Sequence, residues 1–198
     1  MFKRSFDVIC AVIGLALLSP LFVIIAVWIK LDSQGPVFFR QVRVGRHGIP
    51  FRIHKFRTMY TNAEQSGRLT VGRDNRITRS GHLLRKTKFD ELPQLIDVLI
   101  GQMSLVGPRP EVQEFIDCYP ENVKSKVLSV RPGITDRASI EMVDENEILS
   151  KYPDPRKAYI EHILPIKQRY YVAYVDNHNI LTDIKIIIET ILKIVRRS

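Results

Sequence analysis

Residues 8–29 read VICAVIGLALLSPLFVIIAVWI, 22 positions without a charge, and no other feature of the chain limits its fold so strongly. A straight apolar helix of about 20 residues spans the roughly 30 Å hydrocarbon core of a bilayer at about 1.5 Å per residue. The run is long enough, but Ser19-Pro20 sits near its middle. Proline removes a backbone donor and its ring crowds the carbonyl one turn back. A kink is therefore expected there, with the Ser19 hydroxyl placed to satisfy the freed carbonyl. Each half is then about half a bilayer long. Lys3 and Arg4 precede the run, and Lys30, Arg40, Arg43 and Arg46 follow it, so both flanks carry the cations typical of cytoplasmic loops. A re-entrant hairpin that enters and returns on one face fits both flanks, and a kinked spanning helix is the alternative. A cleaved signal peptide fits poorly, because the run exceeds a usual h-region and Ser-Pro is no small-x-small cleavage site.

Residues 32–198 suffice for one compact domain behind this anchor. Lys+Arg 30 against Asp+Glu 21 gives a net charge of +9, which suits an anionic membrane surface, a phosphorylated substrate or nucleic acid. No nucleic-acid-binding motif and no basic helix with stacking aromatics accompanies the charge, which argues against the last of these. Cys10 lies inside the apolar run and Cys118 far from it, so a disulfide framework is implausible and a reducing cytoplasm is compatible.

Within the domain, residues 37–41 and 51–56 read as short strands joined through a long turn at 45–50, a β-hairpin. Residues 61–80 are polar, with Gly67, Gly72 and Asp74-Asn75, and predict a mobile surface loop or a poorly anchored helix. From 81 to 100 apolar residues recur at helical spacing (Leu83, Leu84, Leu92, Leu95, Ile96, Leu99), so helices flank Asp90-Glu91. Residues 111–129 continue helically. Residues 181–197 form an amphipathic helix whose apolar stripe fits either a membrane surface or the protein core.

Chemistry concentrates around Asp90-Glu91, two adjacent carboxylates beside Arg85, Lys86 and Lys88. Cations this close keep at least one carboxylate ionised. Asp90 can attack phosphorus or ligate magnesium, since carboxylate oxygen is both a hard donor and a competent covalent catalyst. Adjacent helical positions do not share a face, so the two acids should have different tasks. A structural alternative stands beside this, because Thr87-x-x-Asp90 has the spacing of a capping box. Further on, Pro108 and Pro110 hold Arg109 in stiff extended backbone before a helix, pre-organised for a pair of phosphate oxygens or serving as a rigid, solvated connector. The stretch His54-Lys55-Phe56-Arg57 alternates cations with apolar residues at the end of the second strand. On its own it reads as a strand with one solvated face.

Taken in order, these strings resemble one family, the bacterial sugar transferases, or monotopic phosphoglycosyl transferases. The resemblance covers nearly the whole chain. It rests on Lys3-Arg4-x-Phe6-Asp7, Ser19-Pro20, Gln41-x-Arg43-x-Gly45, Lys55-Phe56-Arg57-Thr58-Met59 and Asp74-x-Arg76-Ile77-Thr78. It continues through Leu84-Arg85-Lys86-Thr87, Asp90-Glu91-Leu92-Pro93-Gln94, Ser104-Leu105-Val106-Gly107-Pro108-Arg109-Pro110-Glu111, Arg131-Pro132-Gly133-Ile134-Thr135, and Asp183 with Thr190. Each string is weak alone, whereas the ordered set is specific.

The resemblance implies that a UDP-sugar donates its phosphosugar to polyprenyl (undecaprenyl) phosphate, releasing UMP. It implies that Asp90 is the nucleophile and Glu91 its acid-base or metal partner, with Asp90 and Glu91 together beside Mg²⁺. Arg109 and Pro110 would form the phosphate clamp, Lys55, Arg57 and Arg85 the supporting cations, and Asp183 a further member of the substrate-binding set. The implied architecture is α+β and mainly helical. A re-entrant helix-break-helix hairpin (1–31) turning at Ser19-Pro20 would precede a cytosolic catalytic domain (32–198) with a short β-hairpin and amphipathic surface helices. The implied location is the bacterial inner membrane in contact with its lipid, facing the cytoplasm. A homodimer is left open, no nucleic-acid partner is expected, and the chain reads as the short catalytic module alone. The segment 136–141 departs from many relatives, which bears on sugar recognition more than on catalysis. The competing reading is a single-span, membrane-tethered binding or assembly protein with a basic domain, which leaves the paired carboxylates and the Pro-Arg-Pro turn without a purpose.

Overall fold

In a computed structural model of the chain, which describes residues 2–61, 63, 69, 72, 74–142 and 144–197, the apolar run lies inside one uninterrupted helix, α1 (Phe2–Asp32). The expected break at Ser19-Pro20 is absent, and the reason is local. Pro20 deprives the Ala16 carbonyl of its donor, and the Ser19 hydroxyl donates to that carbonyl at 2.8 Å, which keeps the turn satisfied. α1 is also tied to the rest of the chain at both ends. Near its start, Lys3 pairs with Asp183 at 2.5 Å, Arg4 donates to the Val98 carbonyl at 2.7 Å, and Asp7 accepts from the Ser104 hydroxyl at 2.8 Å. Near its end, Ile25 and Ile29 are buried against Phe56 and Leu84, and Asp32 accepts from the Ser80 amide at 2.9 Å. No residue between Ala11 and Ile25 is fully buried, although Gly14 lies against Leu95 and Phe22 against Phe56, and residues 16, 17, 19 and 20 are exposed.

The chain then forms the expected hairpin in two pieces. Strands β1 (Phe38–Phe39), β2 (Val42–Val44), β3 (Pro50–Arg52) and β4 (Lys55–Phe56) pair antiparallel as Phe38↔Phe56 and Val42↔Arg52. Both ladders keep one register across a short gap. Phe56, 1 % exposed, stacks on Phe38 and meets Phe22 edge-on, and burying such a ring stabilises by about 1.5–3 kcal/mol. Much of the polar 61–80 stretch, at 62, 64–68, 70, 71 and 73, lies outside the described residues. It leads to Thr78, whose hydroxyl caps helix α2 (Arg79–Lys86) by accepting from the Gly81 amide. A single 3₁₀ turn, Phe89–Glu91, joins α2 to α3 (Gln94–Leu99), which packs along the first half of α1.

The second half of the domain is built on a parallel pair, β5 (Ser104–Val106) with β6 (Gly133–Thr135), in register Ser104↔Gly133 and Val106↔Thr135. Helices α4 (Gln113–Ile116) and α5 (Glu121–Val127) form the crossover between them. A Cβ on Gly133 would lie 2.1 Å from the Gly107 nitrogen, so the two glycines are what let the Val-Gly-Pro-Arg-Pro and Arg-Pro-Gly-Ile-Thr strings touch backbone to backbone. The atypical 136–141 segment folds as helix α6 (Arg137–Glu141), capped by Asp136. Then follow α7 (Glu145–Leu149), α8 (Pro155–Ala158), a π-turn, α9 (Leu164–Asn177) and α10 (Ile180–Arg197). The largest core gathers Val44, Phe115, Tyr119, Leu149, Tyr159, Ile163 and Tyr171. In α10, Ile186 packs on Val106 and Tyr174 as the core reading expects, while Leu181, Ile188, Ile191 and Val195 remain an exposed apolar face. The architecture is mainly helical with few strands, as expected.

Candidate active site

The turn that joins α2 to α3 carries the carboxylate pair. Lys88 precedes it with φ of 61°, a left-handed conformation uncommon for a side chain other than glycine, and this turns Asp90 and Glu91 inward. Both are buried, at 8 % and 9 % exposure, yet both line an open cleft of about 1320 Å³. Their surroundings differ. Glu91 is saturated: Arg109 grips it in a bidentate pair at 2.5 and 3.0 Å, and Lys55 bonds it at 2.9 Å. Asp90 keeps a buried oxygen, Oδ1, with no hydrogen-bond partner.

These environments separate the two acids electrostatically. Burial, reinforced by the Glu91 charge, raises the Asp90 pKa above the usual carboxylate range, only partly offset by Lys55, Lys88 and Arg85. Burial also pushes Glu91 upward, but Arg109 and Lys55 outweigh it and hold that carboxyl well below its ordinary value. Glu91 in turn raises the Arg109 guanidinium well above its normal range. Burial draws the Lys55 ammonium down to about 8 despite Glu91. Arg109 is thus the main keeper of the Glu91 charge. The capping alternative for Asp90 is not what the fold uses: the Thr87 hydroxyl donates back to the Leu83 and Leu84 carbonyls, closing α2.

Of the remaining residues read from the sequence, Arg85 lines the cleft, and its Nε donates to the Thr58 hydroxyl at 2.9 Å. Arg57 also borders the cleft, but its guanidinium donates to the Ser33 carbonyl at 2.8 Å and to the Gln34 carbonyl, bracing the end of α1. The Pro110 carbonyl accepts from Arg43 at 3.2 Å. Asp183 lies outside the cleft lining, fully buried between Lys3 and the Tyr174 hydroxyl, which donates to it at 2.7 Å. Ser19 and Pro20 are exposed at the middle of α1. Sequence reasoning named Arg43 and Glu111 only within motif strings, without a role at the site, and did not single out Tyr159 and Lys167, which line the same cleft. The spacing of Tyr159 and Lys167 in the chain carries no pattern.

A partnerless buried carboxylate, a second carboxylate held ionised by two cations, and a cation-lined cleft beside an apolar helix suit chemistry on phosphoryl groups at a membrane surface. The chain belongs to the bacterial sugar transferase family, whose model matches residues 1–197. It is 40 % identical over 195 residues to the UDP-N-acetylgalactosamine-undecaprenyl-phosphate N-acetylgalactosaminephosphotransferase of Aeromonas hydrophila, covering 96 % of this chain and 42 % of that protein. It is 37 % identical over 198 residues to the UDP-glucose:undecaprenyl-phosphate glucose-1-phosphate transferase of Klebsiella pneumoniae, covering 98 % and 40 %. Against the uncharacterized sugar transferase EpsL of Bacillus subtilis it is 37 % identical over 192 residues, covering 97 % and 86 %. The chain therefore spans about two fifths of the length of the first two relatives.

Proposed function

We propose that this chain transfers a phosphosugar from a UDP-sugar to undecaprenyl phosphate, releasing UMP, at the cytoplasmic face of the bacterial inner membrane. The observation that carries the reading is Asp90, a buried carboxylate that faces a cation-lined cleft with one oxygen unpartnered. An Asp90 oxygen attacks the β-phosphorus. The bond from that phosphorus to the bridging oxygen breaks, and UMP leaves with the electron pair. The undecaprenyl phosphate oxygen then attacks the aspartyl phosphosugar, the phosphorus–Asp90 bond breaks, and the carboxylate is regenerated. Glu91, kept ionised, positions Arg109 and Lys55 over the phosphoryl oxygens. The second reading, a tethered binding protein, leaves the partnerless Asp90 oxygen unexplained.

Asp90 would hold Mg²⁺, because its free oxygen is a hard donor while both Glu91 oxygens are engaged by Lys55 and Arg109. Among the described residues no cluster of three His, Cys, Asp or Glu is present, so further donors would be diphosphate oxygens and water, as is common for Mg²⁺. When bound, the ion supplies charge neutralisation on the phosphoryl oxygens.

The decisive test is the burst. With UDP-sugar and Mg²⁺ but no lipid acceptor, the enzyme is expected to release about one UMP per site and retain the phosphosugar on Asp90. Continuous turnover without acceptor, or a label mapped to another residue, would remove the covalent step.

Re-entry of α1 is part of the same proposal. Its support is that both ends of the helix are fastened to one domain while residues 16, 17, 19 and 20 are exposed; on this proposal Ser19-Pro20 lies deepest in lipid. Cysteines introduced at positions 3 and 34 are expected to react with an impermeant reagent from the same side of sealed vesicles. Reaction from opposite sides would establish a spanning helix instead.

A further inference from the structure

The cleft does not end at the carboxylate pair. Past Arg109 it runs to a second set of polar side chains, buried more deeply than a solvated wall requires: Glu111 is 5 % exposed and Lys167 6 %. The Tyr159 hydroxyl joins them, donating to Glu111 at 2.7 Å and accepting from Lys167 at 3.2 Å. Lys167 pairs with Glu145 at 2.6 Å and lies 4.0 Å from Glu111, and its ammonium sits 4.9 Å from the centre of the Tyr159 ring. On the side towards Arg109, Arg43 approaches Glu111 at 3.8 Å and keeps a buried Nε without a partner. Phe115 packs on Tyr159 with ring centres 4.5 Å apart, and both line the cleft.

We propose that this cluster is the subsite for the sugar ring of the donor, and that Glu111, Lys167 and Tyr159 determine which sugar is accepted. The inference rests on the transferase reading. Three arguments carry it. The first is chemical: a pyranose offers hydroxyls that both donate and accept, above a face of C–H groups. A carboxylate, an ammonium, a phenol and an aromatic wall complement such a ring. The second is charge. Lys55, Arg85 and Lys88 act on Asp90, and Arg109 on Glu91, whereas in this cluster Glu111 and Glu145 balance Arg43 and Lys167. A charge-balanced cluster offers the diphosphate and the lipid phosphate no net attraction, so a neutral arm of the donor belongs here. The third is distance along the substrate. The sugar hangs directly on the phosphorus that Asp90 attacks, while the ribose is one phosphate further away. The cluster adjoins the Asp90 turn through Arg109, two residues before Glu111 and paired to Glu91.

Buried polar groups make strong discriminators, because a sugar that fails to match leaves them unpaired. Tyr159→Phe keeps the ring and its packing and removes only the hydroxyl, and Lys167→Met removes the ammonium. The test measures kcat/KM of the full chain in lipid nanodiscs, with undecaprenyl phosphate and Mg²⁺, for UDP-glucose, UDP-galactose and their N-acetyl counterparts. The expected result for Tyr159→Phe is a change of about tenfold or more in the ratio between two donors that the wild type distinguishes. Inhibition by UMP should stay within about twofold of wild type. A structural role alone would scale all donors together. An unchanged ratio in an active Tyr159→Phe variant overturns the proposal and leaves the transferase reading intact, as does an equal loss of UMP affinity, which would give the cluster to the nucleotide. Absence of UMP release by the wild type with every donor overturns the transferase reading itself.

Discussion

The buried carboxylates that fasten the scaffold and the one that faces the cleft from the Phe89–Glu91 turn are treated in opposite ways. Where α1 meets the domain, Asp7 accepts from the Ser104 hydroxyl and the Leu105 amide, and Asp183 accepts from Lys3 and Tyr174. Beneath the hairpin, Asp97 accepts from the His54 amide at 2.8 Å and from its ring at 2.6 Å. These acids are saturated and join distant segments. In the turn at Phe89–Glu91, Glu91 follows that pattern, while Asp90 is left with a bare oxygen facing the cleft. A satisfied buried charge holds a fold together, and an unsatisfied one costs stability that only a ligand or a reaction can return.

The contrast is sharpest at Asp90. Asp90→Asn is expected to lower turnover by on the order of 10⁶-fold, the scale of losing a covalent nucleophile. The same substitution should not weaken the fold. A carboxyl whose folded pKa is raised contributes stability below its unfolded pKa, near 3.9, and that contribution is lost as pH rises through the folded value. Asp90→Asn should therefore melt at or above the wild-type temperature at pH 7, with the gain fading under acid conditions. A clear drop in melting temperature at pH 7 would return Asp90 to the scaffold.

Glu91→Gln is expected to behave in the reverse sense. Its folded pKa is depressed, so its stabilisation is present above the unfolded value of about 4.3 and disappears as pH falls through the folded one. Removing the charge strands Arg109 and Lys55, and a loss of about 3 kcal/mol at pH 7 is expected from urea melts, shrinking in acid. A loss that does not vary with pH would break the assignment of Glu91 as the ionised partner. The smallest effect is expected at Asp183→Asn, which keeps an acceptor for Tyr174 and weakens only the partly exposed Lys3 pair. About 1 kcal/mol of stability should be lost, with the donor KM unchanged. A raised KM would place Asp183 in substrate binding despite its distance from the cleft lining.

Much of this was legible in the sequence. The hairpin followed from alternating residues around a glycine-rich turn, and helices flanking Asp90-Glu91 followed from leucine spacing. Lys55, Asp90, Glu91 and Arg109 stood out by their charge in short strings, and the fold brings these four together at one cleft. Partners that are remote in sequence were not legible. Arg57 and Asp183 carry the right charge for phosphate or substrate, but their contacts are carbonyls 23 and 24 residues away and a lysine 180 residues away. The role of Gly107 and Gly133 likewise exists only once β5 and β6 are side by side. At Ser19-Pro20 the sequence supplied both halves of the local chemistry, the donor lost at proline and the serine hydroxyl that replaces it, while the continuity of the helix across them emerged only from the structure.

The fastening of α1 at both ends has a practical side. Ala11, Ile25 and Ile29 are fully buried members of cores whose other members come from the globular part. Cutting the chain after Asp32 to obtain a water-soluble enzyme would uncover Phe56, Leu84 and Val98, the residues that Ala11, Ile25 and Ile29 cover. α1 is thus part of the core of the folded domain, and a foreign apolar helix spliced onto residues 33–198 would not restore its architecture.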